Sequence, residues 1–344
     1  MLKRLCALGV VAVVAPLALH QPAQAAAPAY VALGDSYSSG TGTKDYIDDG
    51  TECLRSTKAY PSLVAAARGY ALNFRACSGA KIADVTANQL GALSSSTRYV
   101  TLSVGGNDAG FTDVITECAQ PGWMSDCNAS IDGAQSFING TLPGRLKTLY
   151  ASIRAKAPNA KVVVAGYPRL FMGEDCNALT FFSPEEETRL NQTADLVNAK
   201  TSAAASAAGF TFANPTSAFL GHAVCDDPEW LNGLSNPVVN SYHPNQLGHA
   251  NGYTPLVSPK LTGATVQVTA QVLATAQEQG PAQAEKQRRH AALDRRIEPE
   301  RIELPDLSSP EAKAAARRAG VDLSSRASIE AADRKASAAQ ARGR

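Results

Sequence analysis

Four short stretches hold side chains that could carry acyl-transfer chemistry together. The first is Gly34-Asp35-Ser36-Tyr37-Ser38-Ser39-Gly40, which follows directly on the apolar run Tyr30 to Leu33. A serine hydroxyl presented by a glycine-led turn becomes a nucleophile when a base lies beside it. Asn240-Ser241-Tyr242-His243-Pro244-Asn245 offers that base in His243. Of the five histidines, His20 and His290 lie near the ends of the chain, and His222, His243 and His249 lie between. Pro244 suits the first turn of a helix, which places His243 on the loop before it, with His249 packing inside that helix. The remaining two stretches supply donors for a developing oxyanion. Gly105-Gly106-Asn107-Asp108 carries a side-chain amide, and Cys77-Ser78-Gly79-Ala80 carries a glycine whose N–H can approach a ligand closely. A dinucleotide loop at Gly40-Thr41-Gly42 is excluded because Asp45 stands where the third glycine belongs.

Three of these four stretches follow a run that reads as a buried strand. Tyr30–Leu33 precedes Ser36, Ala71–Arg75 precedes Gly79, and Tyr99–Val104 precedes Asn107. Lys161–Gly166 and Phe210–Ala213 add two further strands. Helical patterns fall between them: Pro61 to Arg68, a run of apolar residues from Ile131 to Ile153 interrupted at Pro143-Gly144, and a long helix from about Pro184 to Ala208. Strands alternating with helices, and apolar almost throughout, predict an α/β fold with a parallel sheet covered on both faces. In such a sheet, ligands sit at the carboxyl ends of the strands, and a helix starting at Ser36 would favour negative charge there.

Taken together, the four stretches resemble the SGNH, or GDSL-type, hydrolase family over roughly Ala29 to Ala276, in the family's order along the chain. Within it, Gly-Asp-Ser-Tyr-Ser-Ser-Gly, six cysteines and His-Pro-Asn are most similar to secreted actinomycete esterases and lipases. The resemblance implies a three-layer α/β/α sandwich with about five parallel strands in a flavodoxin-like order. It implies Ser36 as nucleophile, His243 as general base, and an oxyanion hole formed by the Ser36 N–H, the Gly79 N–H and the Asn107 side chain. The activity implied is hydrolysis of carboxylic acyl esters, of lipase or esterase type and including phospholipids, through an acyl-enzyme. Acetyl ester hydrolysis on a carbohydrate is the alternative within the fold, and a catalytically retired envelope-binding protein is the non-enzymatic one. Tyr37 departs from the leucine of the family's short name. Many relatives carry Asp three residues before the histidine; here that residue is Asn240. We therefore expect a dyad, with Nδ1 of His243 donating to the backbone carbonyl of Ser241 or Asn240, and with Asp226 and Asp227 as rival acceptors.

The surrounding chain sets the context. Lys3 and Arg4, an apolar run to about Leu19 and a small-residue ending near Ala25 read as a secretory signal peptide over residues 1–26, and so as a secreted protein. Removing it takes Cys6 and leaves Cys53, Cys77, Cys118, Cys127, Cys176 and Cys225. An even number in an exported chain predicts disulfides, with many connectivities open. No two cysteines have C-x-x-C spacing and no H-E-x-x-H occurs, so neither a metal nor a cofactor is expected. With the family's six-cysteine framework, the expected pairing is neighbour with neighbour: Cys53–Cys77, Cys118–Cys127 and Cys176–Cys225. The hydrolase domain is expected over residues 27–280.

Residues 281–344 form a different kind of segment. They hold 14 Lys and Arg against 10 Asp and Glu, and no aromatic residue. Such composition predicts a solvated, mobile extension, dispensable for catalysis. A formal net charge of +1 for the whole chain gives no reason to expect nucleic acid as a partner. The expected partner is a small-molecule or lipid ester substrate, with transient contact to a lipid or envelope surface, and the expected state is a monomer.

Overall fold

A computed structural model of the chain describes residues 26–173 and 175–342. The signal peptide expected over residues 1–26 lies outside them but for Ala26. Five parallel strands form the sheet: β1 Ala29–Gly34, β2 Ala71–Phe74, β3 Tyr99–Ser103, β4 Lys161–Ala165 and β5 Thr211–Ala213. Their order across the sheet is β2-β1-β3-β4-β5, the flavodoxin-like order expected. In register, Ala32 lies opposite Phe74 on one side and Thr101 on the other, and Thr101 lies opposite Val163.

The strands are apolar at successive positions because both faces are covered. Tyr30, Ala32, Phe74 and Val163 enter one core with Val64, Val257 and Leu261, from the helices Tyr60–Arg68 and Thr254–Thr262. Val31, Leu33, Val100, Leu102 and Val164 enter the other with Leu146, Leu149 and Ile153, from the helix Leu142–Lys156. The helical run expected through Ile131–Ile153 is two helices, Cys127–Gly140 and Leu142–Lys156. Pro143 sits in the first turn of the second, where its missing N–H costs nothing. The long helix Pro184–Ala207 opens on a capping box in which Ser183 and Glu186 bond each other's backbone N–H groups. Three disulfides join Cys53 to Cys77, Cys118 to Cys127 and Cys176 to Cys225.

The segment from 281 onward does not project into solvent as its composition suggests. The helices Ala270–Glu278 and Gly280–Arg288 run on from one another through Gln279, so no break falls at the expected boundary. Beyond them lie the helices Ala291–Asp294, Pro310–Ala319 and Arg326–Arg342, with an irregular stretch at 295–309. The physical reason is specific pairing that a charge count treats as solvation. Asp294 is buried and holds Arg55 at 2.9 Å and Arg75 at 2.6 Å, both of them buried side chains of the domain. Arg75 also donates to Gln287 Oε1 at 2.9 Å, and Lys286 Nζ donates to the Leu72 carbonyl at 2.7 Å. Ile297 and Ile302 enter the two cores. Farther on, Asp333 accepts from the Gly122 N–H at 2.7 Å, and Gln340 Nε2 donates to the Gly122 and Ser125 carbonyls.

Candidate active site

Three of the candidate residues stand on loops leaving neighbouring strands at their carboxyl ends. β1 leads into the short helix Ser36–Ser39, capped by Asp35, whose side chain accepts from the Tyr37 N–H. Gly34 is required at the turn. Its φ is +114°, and a Cβ there would lie 2.2 Å from the Ser103 carbonyl oxygen. β2 leads to Gly79, two residues after Cys77. The Cys53–Cys77 disulfide and the bond from the Ser78 N–H to the Cys53 carbonyl, 3.0 Å, fasten that loop. β3 leads to Asn107, whose Nδ2 donates to the Ala80 carbonyl at 3.3 Å. Asp108 accepts from the Ile82 N–H at 2.8 Å, and so ties the third loop to the second.

His243 comes from a loop far along the chain and is fully buried. Its ring lies against Tyr37, centroids 5.2 Å apart, and meets the edge of Phe111 at 5.9 Å. Tyr37 in turn donates its hydroxyl proton to the Tyr242 carbonyl at 2.8 Å. His243 Nδ1 lies 2.8 Å from the Ser241 carbonyl oxygen. The Asn240 carbonyl accepts instead from Asn232 Nδ2 at 3.0 Å, and the Asn240 side chain accepts from the Tyr46 hydroxyl. Asp226 closes its own turn on the Ala223 N–H at 2.7 Å. The bond at Nδ1 leaves Nε2 as the nitrogen without a hydrogen-bond partner.

Pro244 does not open a helix. It bridges to Leu231 in an antiparallel pair, and Asn245 caps the following turn by accepting from the Leu247 and Gly248 N–H groups. His249 accepts from the Tyr60 N–H at 3.3 Å and stacks on the Tyr60 ring, and burial pushes its pKa down to about 3. It is a neutral packing residue. His222 stacks on Trp230 and its Nδ1 meets the Pro228 carbonyl, apart from the other groups.

A residue outside the sequence reading sits at the centre of this arrangement. Glu300 reaches in from the irregular stretch of the C-terminal segment, and Ser36 Oγ donates to its Oε1 at 2.8 Å. Its Oε2 lies 3.0 Å from His243 Nε2, an ion-pair contact in which Nε2 makes no aligned hydrogen bond. Ser78 Oγ donates to the same oxygen at 3.3 Å. The backbone on either side presses on the second loop. A Cβ on Gly79 would lie 2.0 Å from the Glu298 carbonyl oxygen and 3.1 Å from the Glu300 nitrogen, and φ at Gly79 is +81°. Only glycine leaves room for this passage. The one local signal is Ile297-Glu298-Pro299-Glu300-Arg301-Ile302-Glu303-Leu304-Pro305, a proline-punctuated stretch that sets Ile297, Ile302 and Leu304 among charges within an Ala-rich segment.

Charge within the site follows from these contacts. Burial alone would raise the Glu300 carboxyl, but the charge of His243 beside it, with the Ser36 hydroxyl bond and the nearby Asn107 amide, outweighs burial and holds the pKa below its ordinary value. Burial alone would lower His243; the Glu300 carboxylate more than offsets this and raises it. Asp35, next to Ser36 in the chain, is pushed up to about 7 by burial, against hydrogen bonds from Ser103 and Tyr167. An apolar pocket opens beside Ser36, Asn107 and Glu300. Phe111, Ile115, Ile138, Leu170, Leu190 and Val197 line its walls. No group of three His, Cys, Asp or Glu side chains placed to hold a metal occurs among the described residues.

Residues 32–250 match the model of the GDSL-like Lipase/Acylhydrolase family. Lipase 1 of Streptomyces coelicolor is 45% identical over 245 residues, 70% of this chain and 90% of its own length. A lipase of Streptomyces rimosus is 44% identical over 231 residues, 67% of this chain and 85% of its own. Among solved structures, phospholipase A1 from Streptomyces albidoflavus superposes with a TM-score of 0.64 at 44% identity, covering 68% of this chain and 100% of its own. The extracellular lipase of Streptomyces rimosus gives 0.64 and 44%, covering 70% and 100%.

Proposed function

Since this chain belongs to the GDSL-like lipase/acylhydrolase family, we propose that it hydrolyses carboxylic esters with apolar acyl chains, using Ser36 as nucleophile and His243 as general base. The observation that carries the choice of substrate is the apolar pocket, which opens directly beside Ser36 and Asn107. An acyl chain buried there would place its carbonyl carbon at Ser36 Oγ. The relatives described as lipases and as a phospholipase A1 act on substrates of that kind.

In the reaction, His243 Nε2 takes the Ser36 proton as Oγ attacks the ester carbonyl. The bond from Nδ1 to the Ser241 carbonyl fixes the tautomer that leaves Nε2 free to accept. The tetrahedral oxyanion meets the N–H groups of Ser36 and Gly79 and the Asn107 amide. Each such donor contributes about 3 kcal/mol to the transition state. Imidazolium then protonates the leaving alcohol, and water attacks the acyl-enzyme by the same path in reverse. No step requires a metal or a cofactor. Export through the N-terminal leader fits three disulfides in one domain and a relative described as extracellular.

The test is a p-nitrophenyl ester series of rising acyl length, run on the unaltered chain and on Glu300→Ala. We expect kcat/KM to rise from acetate to medium chains. Turnover of acetate alone would move the substrate to acetylated carbohydrate, and no turnover of any ester by either chain would remove the enzymatic reading.

A further inference from the structure

We infer that the C-terminal segment is a built-in inhibitor of this site, with Glu300 occupying the place of a carboxylic acid product. The inference rests on the catalytic roles proposed above. A carboxylate is the product of ester hydrolysis, and Glu300 makes the contacts such a product would make. One oxygen takes the Ser36 hydroxyl proton bond and the other faces His243 Nε2 and Ser78 Oγ. Asn107 lines the same pocket as Glu300, its Nδ2 donating to the Ala80 carbonyl. Ser36 and His243 therefore do not meet: each is engaged by one oxygen of the same intruding group.

Glu300 is not a third member of a triad. A carboxylate that orients the base does so at Nδ1, away from the nucleophile. Here Nδ1 belongs to the Ser241 carbonyl, and Glu300 stands on the Nε2 side, where the substrate carbonyl must enter. The backbone of 298–300 also packs directly against Gly79, since a single added carbon there would collide with it. An ester cannot reach Ser36 until this stretch leaves.

The rest of the segment is built to hold the inhibitory group in place. Six residues before Glu300, Asp294 neutralises Arg55 and Arg75 in a fully buried cluster. Ile297 and Ile302 flank Glu300 and bury their side chains. Glu303 N–H donates to Thr116 Oγ1 at 3.1 Å on the far side of the site. Glu300 thus lies between two fixed points, beyond the 32–250 stretch that carries the family likeness. An inhibitor tethered in this way acts at a high effective concentration, so even a weak carboxylate contact keeps the site filled.

The test is the rate at which a fluorophosphonate, a small reagent specific for activated serines, labels the folded full-length chain. Unaltered chain, Glu300→Ala and Glu300→Gln are compared, with circular dichroism to check folding. We expect Glu300→Ala to label at least about tenfold faster than the unaltered chain, as for a site less than a tenth open. Glu300→Gln keeps the shape without the charge and should fall between. Equal rates for all three would overturn the inference and leave the nucleophile assignment standing. Labelling of none of them would overturn both.

Discussion

Asp294 and Glu300 are buried carboxylates on one short stretch of chain, and both reach into the hydrolase domain. They meet opposite kinds of partner. Asp294 meets two guanidinium groups, which remain charged at any working pH. Glu300 meets an imidazole that titrates and the Ser36 hydroxyl. The first contact is a permanent clasp and the second a conditional one. On the inference above, one segment can be firmly attached and still release what it covers. The attachment and the obstruction are separate pairs of residues, open to change one at a time.

The largest effect should come from the shared partner of chemistry and inhibition. In the Glu300→Ala background, His243→Ala should lower kcat/KM at least about a thousandfold, the scale on which removing a catalytic base acts. Stopped-flow or steady-state turnover of a soluble ester measures it. A loss below tenfold would mean that some other group takes the Ser36 proton.

Asp294→Ala attacks the clasp. It strands Arg75, and half of the charge on Arg55, in a dry setting. It should cost about 3 kcal/mol, the low end for breaking a buried ion pair, because Asp49 stays at 2.6 Å from Arg55. Denaturant unfolding of the full chain reads the cost. Fluorophosphonate labelling should quicken as well, although Glu300 itself is intact. Unchanged stability would show that the cluster relaxes onto water and that the segment is held elsewhere.

These two residues also mark where sequence reading ends. The strands were legible because burial on both faces makes them apolar over most successive positions, as in Val162-Val163-Val164-Ala165. Ser36, Gly79 and Asn107 were legible because each follows such a strand, so the sheet alone brings them together. His243 needed the family likeness to be placed beside them. Glu300 was hidden. It lies 264 residues from Ser36 in a segment whose charge balance reads as solvent-loving. Pairing between Asp294 and Arg75, 219 residues apart, leaves no local pattern at either end. The choice between Ser241 and Asn240 at Nδ1 was equally hidden, because it depends on Asn232 taking the Asn240 carbonyl.

A pH titration separates the two contacts further. The titratable groups facing the His243–Glu300 pair are Asp35, Tyr37 and the neutral His249. His243 is raised, so its share of the contact is full below the free imidazole pKa and is lost as pH rises through the raised value. Glu300 is lowered, so its share is present above the free carboxyl pKa and is lost as pH falls through the lowered value. Asp35, at about 7, gains charge within that window and supports imidazolium, which extends the upper edge. The ratio of labelling rates, Glu300→Ala over unaltered chain, should therefore peak in mid-range. It should fall as pH rises through the raised value of His243, while the Asp294 clasp persists. A ratio independent of pH would place the obstruction in the 298–300 backbone and not in the carboxylate.

The smallest effects concern the other nitrogen. With a carbonyl at Nδ1, Asn240→Ala, Asp226→Asn and Asp227→Asn in the Glu300→Ala background should each keep turnover within about tenfold. Loss of a true triad carboxylate costs roughly four orders of magnitude. A drop of that size in either aspartate variant would replace the Ser241 carbonyl as the group that supports His243.

The whole account turns on Ser36. Its most direct measurement is rapid-quench peptide mapping of the Glu300→Ala chain mixed with a p-nitrophenyl ester, alongside turnover by the same chain carrying Ser36→Ala. The account predicts an acyl group on the peptide containing Ser36 during turnover, and loss of turnover with the hydroxyl. An acyl group on another residue, or ester hydrolysis that survives Ser36→Ala, would contradict it.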